Sequence, residues 1–302
     1  MLAVLLLTIG LTACQSSGDG SAGGEAEETD APPVVEVTAL DYAFQAPDTI
    51  RSGWTTFRLK NKAEEIHEIE LGRLPEEVTY ADYVETIPFW DTITARVEAG
   101  ELVGRREVHA APVPNVPNWS PQFITSLGLI SPGRTAEKTE YLAPGTYVMP
   151  CFVKSPDGQT HLSKGMHRKL VVRDDSTGAT EPDADVEVRV GGDTVNQDGA
   201  LSRGTNTIAA RFAEESKGPQ AINLIRVEED TDLEAVEQWM NWYTKGGLMA
   251  PAPAEFLGGD NIHSEAPKGS VAYFTVEDLE PGRYAWVVWT SEGAFSETVT
   301  VE

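Results

Sequence analysis

Four side chains carry most of the chemistry this sequence offers: His67, Cys151, His161 and Met166. Three of them fall in YLAPGTYVMPCFVKSPDGQTHLSKGMHRKLVVR (141–173), which reads as a strand, a Gly/Ser/Pro-rich loop and a second strand. Cys151 is the only cysteine outside the N-terminal segment. Each residue alone has an ordinary explanation. An inward histidine is commonly a satisfied core residue, and a lone cysteine packs as a small hydrophobe. Together they form a set, because a thiolate, two imidazoles and a thioether are ligands that suit copper. A nucleophilic role for Cys151 has little support, since neither a helix N-terminus nor a nucleophile elbow precedes it. No phosphate-binding glycine loop or CxxC pair occurs.

These residues need strands to hold them. VVEVTAL, WTTFRLK and IHEIELGRL are rich in β-branched and aromatic residues and are predicted strands. Alternation along IHEIEL puts His67, Ile69 and Leu71 on one face, with Glu68 and Glu70 on the other. TYADYVETI and WDTITARVEAG read as helical, and LVGRREVHAAPVPNVPNWSPQ as a long proline-rich loop. AEKTEYL, GTYVMPCFV and RKLVVR close this unit, and an acidic, turn-rich linker follows.

The chain then repeats itself. GPQAINLIRV parallels EEIHEIELGRL, TDLEAVEQWMNWYTKGG is again helical, and LEPGRYAWVVW parallels LAPGTYVMPCF. Pro144-Gly145-Xaa-Tyr147 and Pro281-Gly282-Xaa-Tyr284 set the frame: a tight turn into a strand whose inward face begins at tyrosine. In that frame Gln220 stands at the position of His67 and Val288 at that of Cys151. Two copies sharing a scaffold while differing at His67, Cys151, His161 and Met166 separate the fold from the chemistry.

With NKAEEIHEIEL upstream and CFVKSPDGQTHLSKGM as the last loop, the chain resembles the cupredoxins, the plastocyanin and azurin group, over 34–173 and weakly over the second copy. Its His-x4-Met spacing is similar to that of plastocyanin-like domains, while nine residues separate Cys151 from His161 against two to four in the best-known electron-transfer members. The resemblance implies a mainly β fold of two tandem Greek-key β-sandwiches, each with a helical insertion. It also implies one type 1 copper held by His67, Cys151 and His161 with Met166 axial; Met149 and His167 are the substitutes in reach. Backbone N–H groups near Asn61 and Glu68 are expected to support the site, and the His161 edge, beside Pro150 and Leu162, to pass electrons. The expected domains are a signal peptide 1–13, a tether 14–33, a copper domain 34–173, a linker 174–184 and a copper-free domain 185–302. Electron transfer is the leading function; a metal-free binding module and copper sequestration or delivery are the alternatives. An enzyme is not expected, because copper oxidases and nitrite reductases need additional histidines, commonly in His-Xaa-His pairs, and the five histidines here form none.

The N-terminus MLAVLLLTIGLTACQSS has an apolar run too short to span a bilayer, ending in a lipobox-like LTAC. Cys14 is therefore the expected lipidation site, with the protein exported and anchored on the periplasmic or cell-surface side. A formal charge of −25 opposes nucleic acid and anionic lipid as partners. A redox partner protein is expected, with membrane contact through the anchor alone. Lys154, Lys164, Arg168 and Lys169 form a local basic island around the loop, readable as a docking patch or as a solvated strand edge.

Overall fold

The computed structural model describes residues 31–112, 118–191, 193–212, 220–262, 271–290 and 293–302. Cys14, the leader and His263 lie outside them. The first half contains β1 (Val34–Leu40), β2 (Ala43–Gln45), β3 (Thr49–Asn61), β4 (Glu70–Arg73), β5 (Gln122–Ser126), β6 (Thr135–Leu142), β7 (Gly145–Pro150) and β8 (His167–Ser176). The second contains β9 (Val186–Gly191), β10 (Thr194–Asp198), β11 (Gly204–Phe212), β12 (Gln220–Arg226), β13 (Glu255–Ile262), β14 (Val271–Leu279), β15 (Gly282–Thr290) and β16 (Gly293–Val301). Three helices, α1 (Tyr80–Val84), α2 (Ile87–Glu98) and α3 (Arg105–Ala110), interrupt β4 and β5, and α4 (Leu233–Trp239) interrupts β12 and β13.

The chain is mainly β, and its halves are built alike, as two β units with the same strand pairings. β1 runs parallel to β3 as β9 does to β11, and β3–β6, β4–β5, β4–β7 and β7–β8 recur as β11–β14, β12–β13, β12–β15 and β15–β16. Arg73 pairs with Tyr147 and Arg226 with Tyr284, which is the alignment the Pro-Gly-Xaa-Tyr frame requires. Both tyrosines donate to the carbonyl four residues back, Tyr147 to Ala143 at 2.8 Å and Tyr284 to Glu280 at 2.7 Å. β3 serves both layers of the first half by bending at Gly53, whose φ of +102° suits glycine and where a Cβ would meet Thr177 Oγ1 at 2.7 Å.

One sequence expectation about the elements changes. The stretch 102–122 is not all loop: it contains α3 and meets β5, which pairs with β4. β5 escaped notice because its sequence, QFITS, is short and sits behind a proline-rich run.

The halves share one seam. β6 and β14 pair antiparallel through Ala136–Val276 and Thr139–Tyr273, so each half closes the other's sheet edge. Counting from the two Pro-Gly pairs, Ala136 corresponds to Tyr273 and Thr139 to Val276, so these two pairs exchange under the repeat. The β12–β15 layer is apolar on both faces. Ile222, Leu224, Trp286 and Val288 fill the second core, while Ala221, Ile225, Ala285 and Val287 join the core of the first half. One buried ion pair crosses the seam, with Lys138 Nζ 3.4 Å from Asp260 and 3.2 Å from Glu140 of its own half; Lys154 Nζ, paired with Glu98 of its own half at 2.7 Å, also donates across it to the Trp242 carbonyl at 3.1 Å.

Candidate metal centre

The site forms where three backbone devices meet. Asn61, fully buried at the end of β3, donates through Nδ2 to the carbonyls of Glu65 and Ile130, both at 2.8 Å, and accepts from Ala63 N–H. This ties down the turn that leads to His67. His67 itself bridges Ile130 with both backbone groups. Cys151 follows β7, and its N–H donates to the Met166 carbonyl at 3.1 Å, while Met166 N–H donates to the His161 carbonyl at 2.8 Å.

The nine residues between Cys151 and His161 do not separate them in space. Lys154 pairs with Thr160, Ser155 N–H donates to the Gln159 carbonyl, and a turn at 155–158 closes a small hairpin. His161 N–H then donates to the Val153 carbonyl at 2.8 Å. Residues 154–160 are thus an excursion whose ends meet, and His161 stands as close to Cys151 as a short loop would place it. The excursion lies against the second half, where Lys154 bonds Leu248 and Ala250 through its backbone and Trp242 through Nζ.

His67, Cys151 and His161 come together with no exposed surface. The two Nδ1 atoms are 2.9 Å apart, and Cys151 Sγ lies 3.4 Å from that of His161 and 3.8 Å from that of His67. A point equidistant from the three atoms is about 2.0 Å from each, the length of a metal–imidazole bond and slightly under a metal–thiolate bond. A water there would need about 2.7 Å or more to each partner and does not fit. Glu65 Oε2 accepts from His161 Nε2–H at 2.7 Å, which leaves the His161 Nδ1 lone pair facing inward. The residues therefore fit a single small cation held trigonally by two imidazole nitrogens and one thiolate sulfur, which is the donor set that favours copper. Met166 is fully buried in the same apolar cluster as Cys151. His167 is not in the group: its Nδ1 bonds Tyr80 Oη at 2.7 Å.

Burial holds both imidazoles neutral. Desolvation, then the neighbouring His161, pushes His67 down to about 3, and desolvation with Lys164 pushes His161 down to about 4. Burial, aided by Glu68, pushes the Cys151 thiol well up, while N–H donation from Glu68 and Val153 to the sulfur opposes this. Glu68 was thus a sound expectation for sulfur support, Val153 was missed, and Asn61 acts on the loop instead. The raised thiol opposes the free thiolate that a nucleophile would need. Glu68 and Glu70 do face away from His67, but that face is buried against the second half, with Glu68 and Glu70 only 6% and 3% exposed. Burial first, and Glu70 second, raise the Glu68 carboxyl, which accepts from Phe152 N–H.

Two surface expectations are corrected. The basic island is dispersed: Lys154 is fully buried against Glu98 and Trp242, Lys164 pairs with Asp157 and Arg168 with Asp48, leaving Lys169 exposed. The His161 edge does not reach the surface either. Glu65, whose side chain is 24% exposed, caps it, and Tyr42 packs edge-on at 5.3 Å.

The neutral imidazoles make the metal-free protein acid-sensitive. The unfolded chain takes up protons below about pH 6.5 that the folded state refuses until about pH 4 and below. Stability present above pH 6.5 is therefore lost as pH falls, with these two groups contributing up to about 2.7 kcal/mol per pH unit. Urea midpoints of chelator-treated protein should drop between pH 6.5 and 4, and the double variant His67→Gln, His161→Gln should lose most of that slope. An unchanged slope would show that the two rings titrate normally.

No protein-family model matches the sequence, and no curated protein does. Among solved structures, a dithionite-reduced auracyanin from Roseiflexus castenholzii is similar at 21% identity over 47% of this chain and 97% of its own, with a TM-score of 0.28. Auracyanin A, a blue copper protein from Chloroflexus aurantiacus, is similar at 24% identity over 47% of this chain and 99% of its own, with a TM-score of 0.28. A blue copper oxidase from Nitrosomonas europaea is similar over 90% of this chain and 86% of its own, at 12% identity and a TM-score of 0.26.

Proposed function

We propose that this protein is a type 1 copper protein that carries single electrons, with one copper held by His67, Cys151 and His161 and with Met166 axial. The observation that carries the reading is the buried triangle of two Nδ1 atoms and one Sγ, sized for a metal ion and closed to water. When bound, copper supplies a one-electron Cu(II)/Cu(I) couple. The chain's part is to keep the donors still. Asn61 fixes the His67 turn, Glu65 fixes the His161 tautomer, and the 154–160 hairpin is clamped to the second half, so little rearrangement accompanies a change of charge. N–H donation to Sγ from Glu68 and Val153 withdraws electron density from the thiolate and favours the reduced state. Electrons leave through the Glu65 carboxylate or the Tyr42 ring toward a redox partner protein. The second half carries Gln220 and Val288 at the equivalent positions and serves as scaffold, without copper. A carrier is favoured over an oxidase by the lack of any His-Xaa-His pair. The visible spectrum of purified, copper-loaded protein tests this: intense thiolate charge-transfer absorption that bleaches on reduction is expected, and its absence overturns the reading.

The proposed location is outside the cytoplasmic membrane, held by lipid on Cys14 through the tether 14–33. Cys14→Ser should shift the protein from the membrane to the soluble fraction and abolish uptake of labelled fatty acid. A parent protein that takes up no label, with a variant that stays on the membrane, removes the anchor.

A further inference from the structure

Lys154 ties the metal loop to the second half with its backbone and its side chain at once. Its N–H donates to the Leu248 carbonyl at 2.8 Å and its carbonyl accepts from Ala250 N–H at 2.7 Å, so it pairs in parallel with Met249. Its ammonium has no exposed surface. It donates to Glu98 Oε1 at 2.7 Å and to the Trp242 carbonyl at 3.1 Å, and sits 5.0 Å from the centroid of the Trp242 ring. Glu98 in turn accepts from Gly246 N–H at 3.1 Å, and Trp242 Nε1–H donates to the Phe152 carbonyl at 3.0 Å. Trp239 holds the receiving segment in shape: its carbonyl accepts from Leu248 N–H at 2.7 Å, and its indole donates to the Met249 carbonyl at 2.6 Å.

A buried ammonium carries a desolvation cost that an apolar side chain of similar length would avoid. What the charge adds is position. An ammonium surrounded by fixed acceptors has one place to go, whereas a methionine adapts to whatever gap it finds. The position of Lys154 matters to the donors. It pairs across the hairpin with Thr160, the residue before His161. On the other side its neighbour Val153 accepts from His161 N–H at 2.8 Å, and Leu162 N–H donates to the Cys151 carbonyl at 2.9 Å. A shift of Lys154 is therefore carried by both arms of the hairpin to His161.

We infer that Lys154 is a positioning residue, through which the second half fixes His161 against Cys151. The purpose of that placement rests on the copper reading, but the placement itself belongs to the metal-free protein and is tested there. The second half thus acts on the metal centre without supplying a ligand: its segment 239–250 is the seat for the lysine.

The test is the rate at which a water-soluble aromatic disulfide labels Cys151 in chelator-treated full-length protein carrying Cys14→Ser, which leaves Cys151 as the single thiol. Cys151 has no exposed surface, so labelling requires an opening, and the aryl thiolate released in the exchange is read by its absorbance. Lys154→Met should speed labelling about tenfold with a shallow dependence on urea, because the opening of one hairpin exposes little surface. An unchanged rate overturns the inference. So does a faster rate with the full urea dependence of global unfolding, which would make Lys154 a contributor to stability alone. Trp242→Phe removes the indole donor to Phe152 and keeps the backbone carbonyl; it should act in the same direction, and it decides by the same two criteria if Lys154→Met does not fold. In copper-loaded protein, Lys154→Met should shift the thiolate charge-transfer band and pass copper to a chelator about tenfold faster than the parent. A parent with no such band would remove the copper reading, while the labelling rates would still decide the role of Lys154.

Discussion

Cys151→Ser protein, loaded with copper under the conditions used for the parent, is expected to be colourless. The colour depends on a sulfur-to-metal charge transfer that a hydroxyl cannot supply, and the three-donor set becomes a two-histidine set of far lower affinity. Copper content after dialysis should fall from near one per chain to a small fraction. Cys151→Ala separates fold from chemistry. Val288 fills the equivalent position in the second half, so a small apolar side chain is accepted there. The cost should be about 2 kcal/mol, from the lost sulfur packing and from two backbone N–H groups, of Glu68 and Val153, left without their acceptor. Met166→Leu should keep copper and colour while shifting the potential upward, because an axial donor to Cu(II) is lost. A Cys151→Ser sample that retains the visible band would place the thiolate outside the site and sink the assignment.

Lys138→Met is expected to be the most destabilising single substitution at the seam. Lys138 is completely buried on β6; burial alone would discharge its ammonium, but Asp260 and Glu140 outweigh that and hold its pKa above the ordinary value. Removing the ammonium leaves Asp260, 1% exposed, as an uncompensated charge, which costs about 3–5 kcal/mol. Adding Asp260→Asn should recover more than half of that, because Thr125 and the Ser126 and Asn261 N–H groups still have an oxygen to bond. Urea unfolding of the two single variants and the double variant measures the coupling. Additive losses would mean the pair contributes nothing as a pair.

Much of this was legible before any coordinates. The two Pro-Gly-Xaa-Tyr turns set an alignment that the Arg73–Tyr147 and Arg226–Tyr284 registers reproduce. Alternation along IHEIEL put His67 inward, and the residues absent from the second copy included the three that meet. What stayed hidden depends on contact between the halves. Periodicity within one strand cannot show that the Glu68 and Glu70 face is covered by a sheet some 150 residues later in the chain, roughly the length of a domain. Nor does a run such as KSPDGQT announce that its lysine is buried on a distant tryptophan. The nine-residue spacing from Cys151 to His161 is closed by a hairpin, which stores chain length without adding distance.

The pairing of β6 with β14 has the register that two identical subunits would adopt across a twofold axis, since each partner pair maps onto the other. Joined in one polypeptide, such a dimer no longer dissociates on dilution, because the linker keeps each half at a high effective concentration for the other. It is also released from sameness. In a true homodimer every substitution appears twice, so a side chain suited to one side of the axis must be tolerated on the other. Here His67 faces no second histidine across the repeat but a glutamine, Cys151 has a valine for its counterpart, and Lys138 meets Asp260 with no mirrored copy of the pair. Covalent union gives a symmetric scaffold two independently adjustable sides, one assembled around a donor triangle and the other free to cover it.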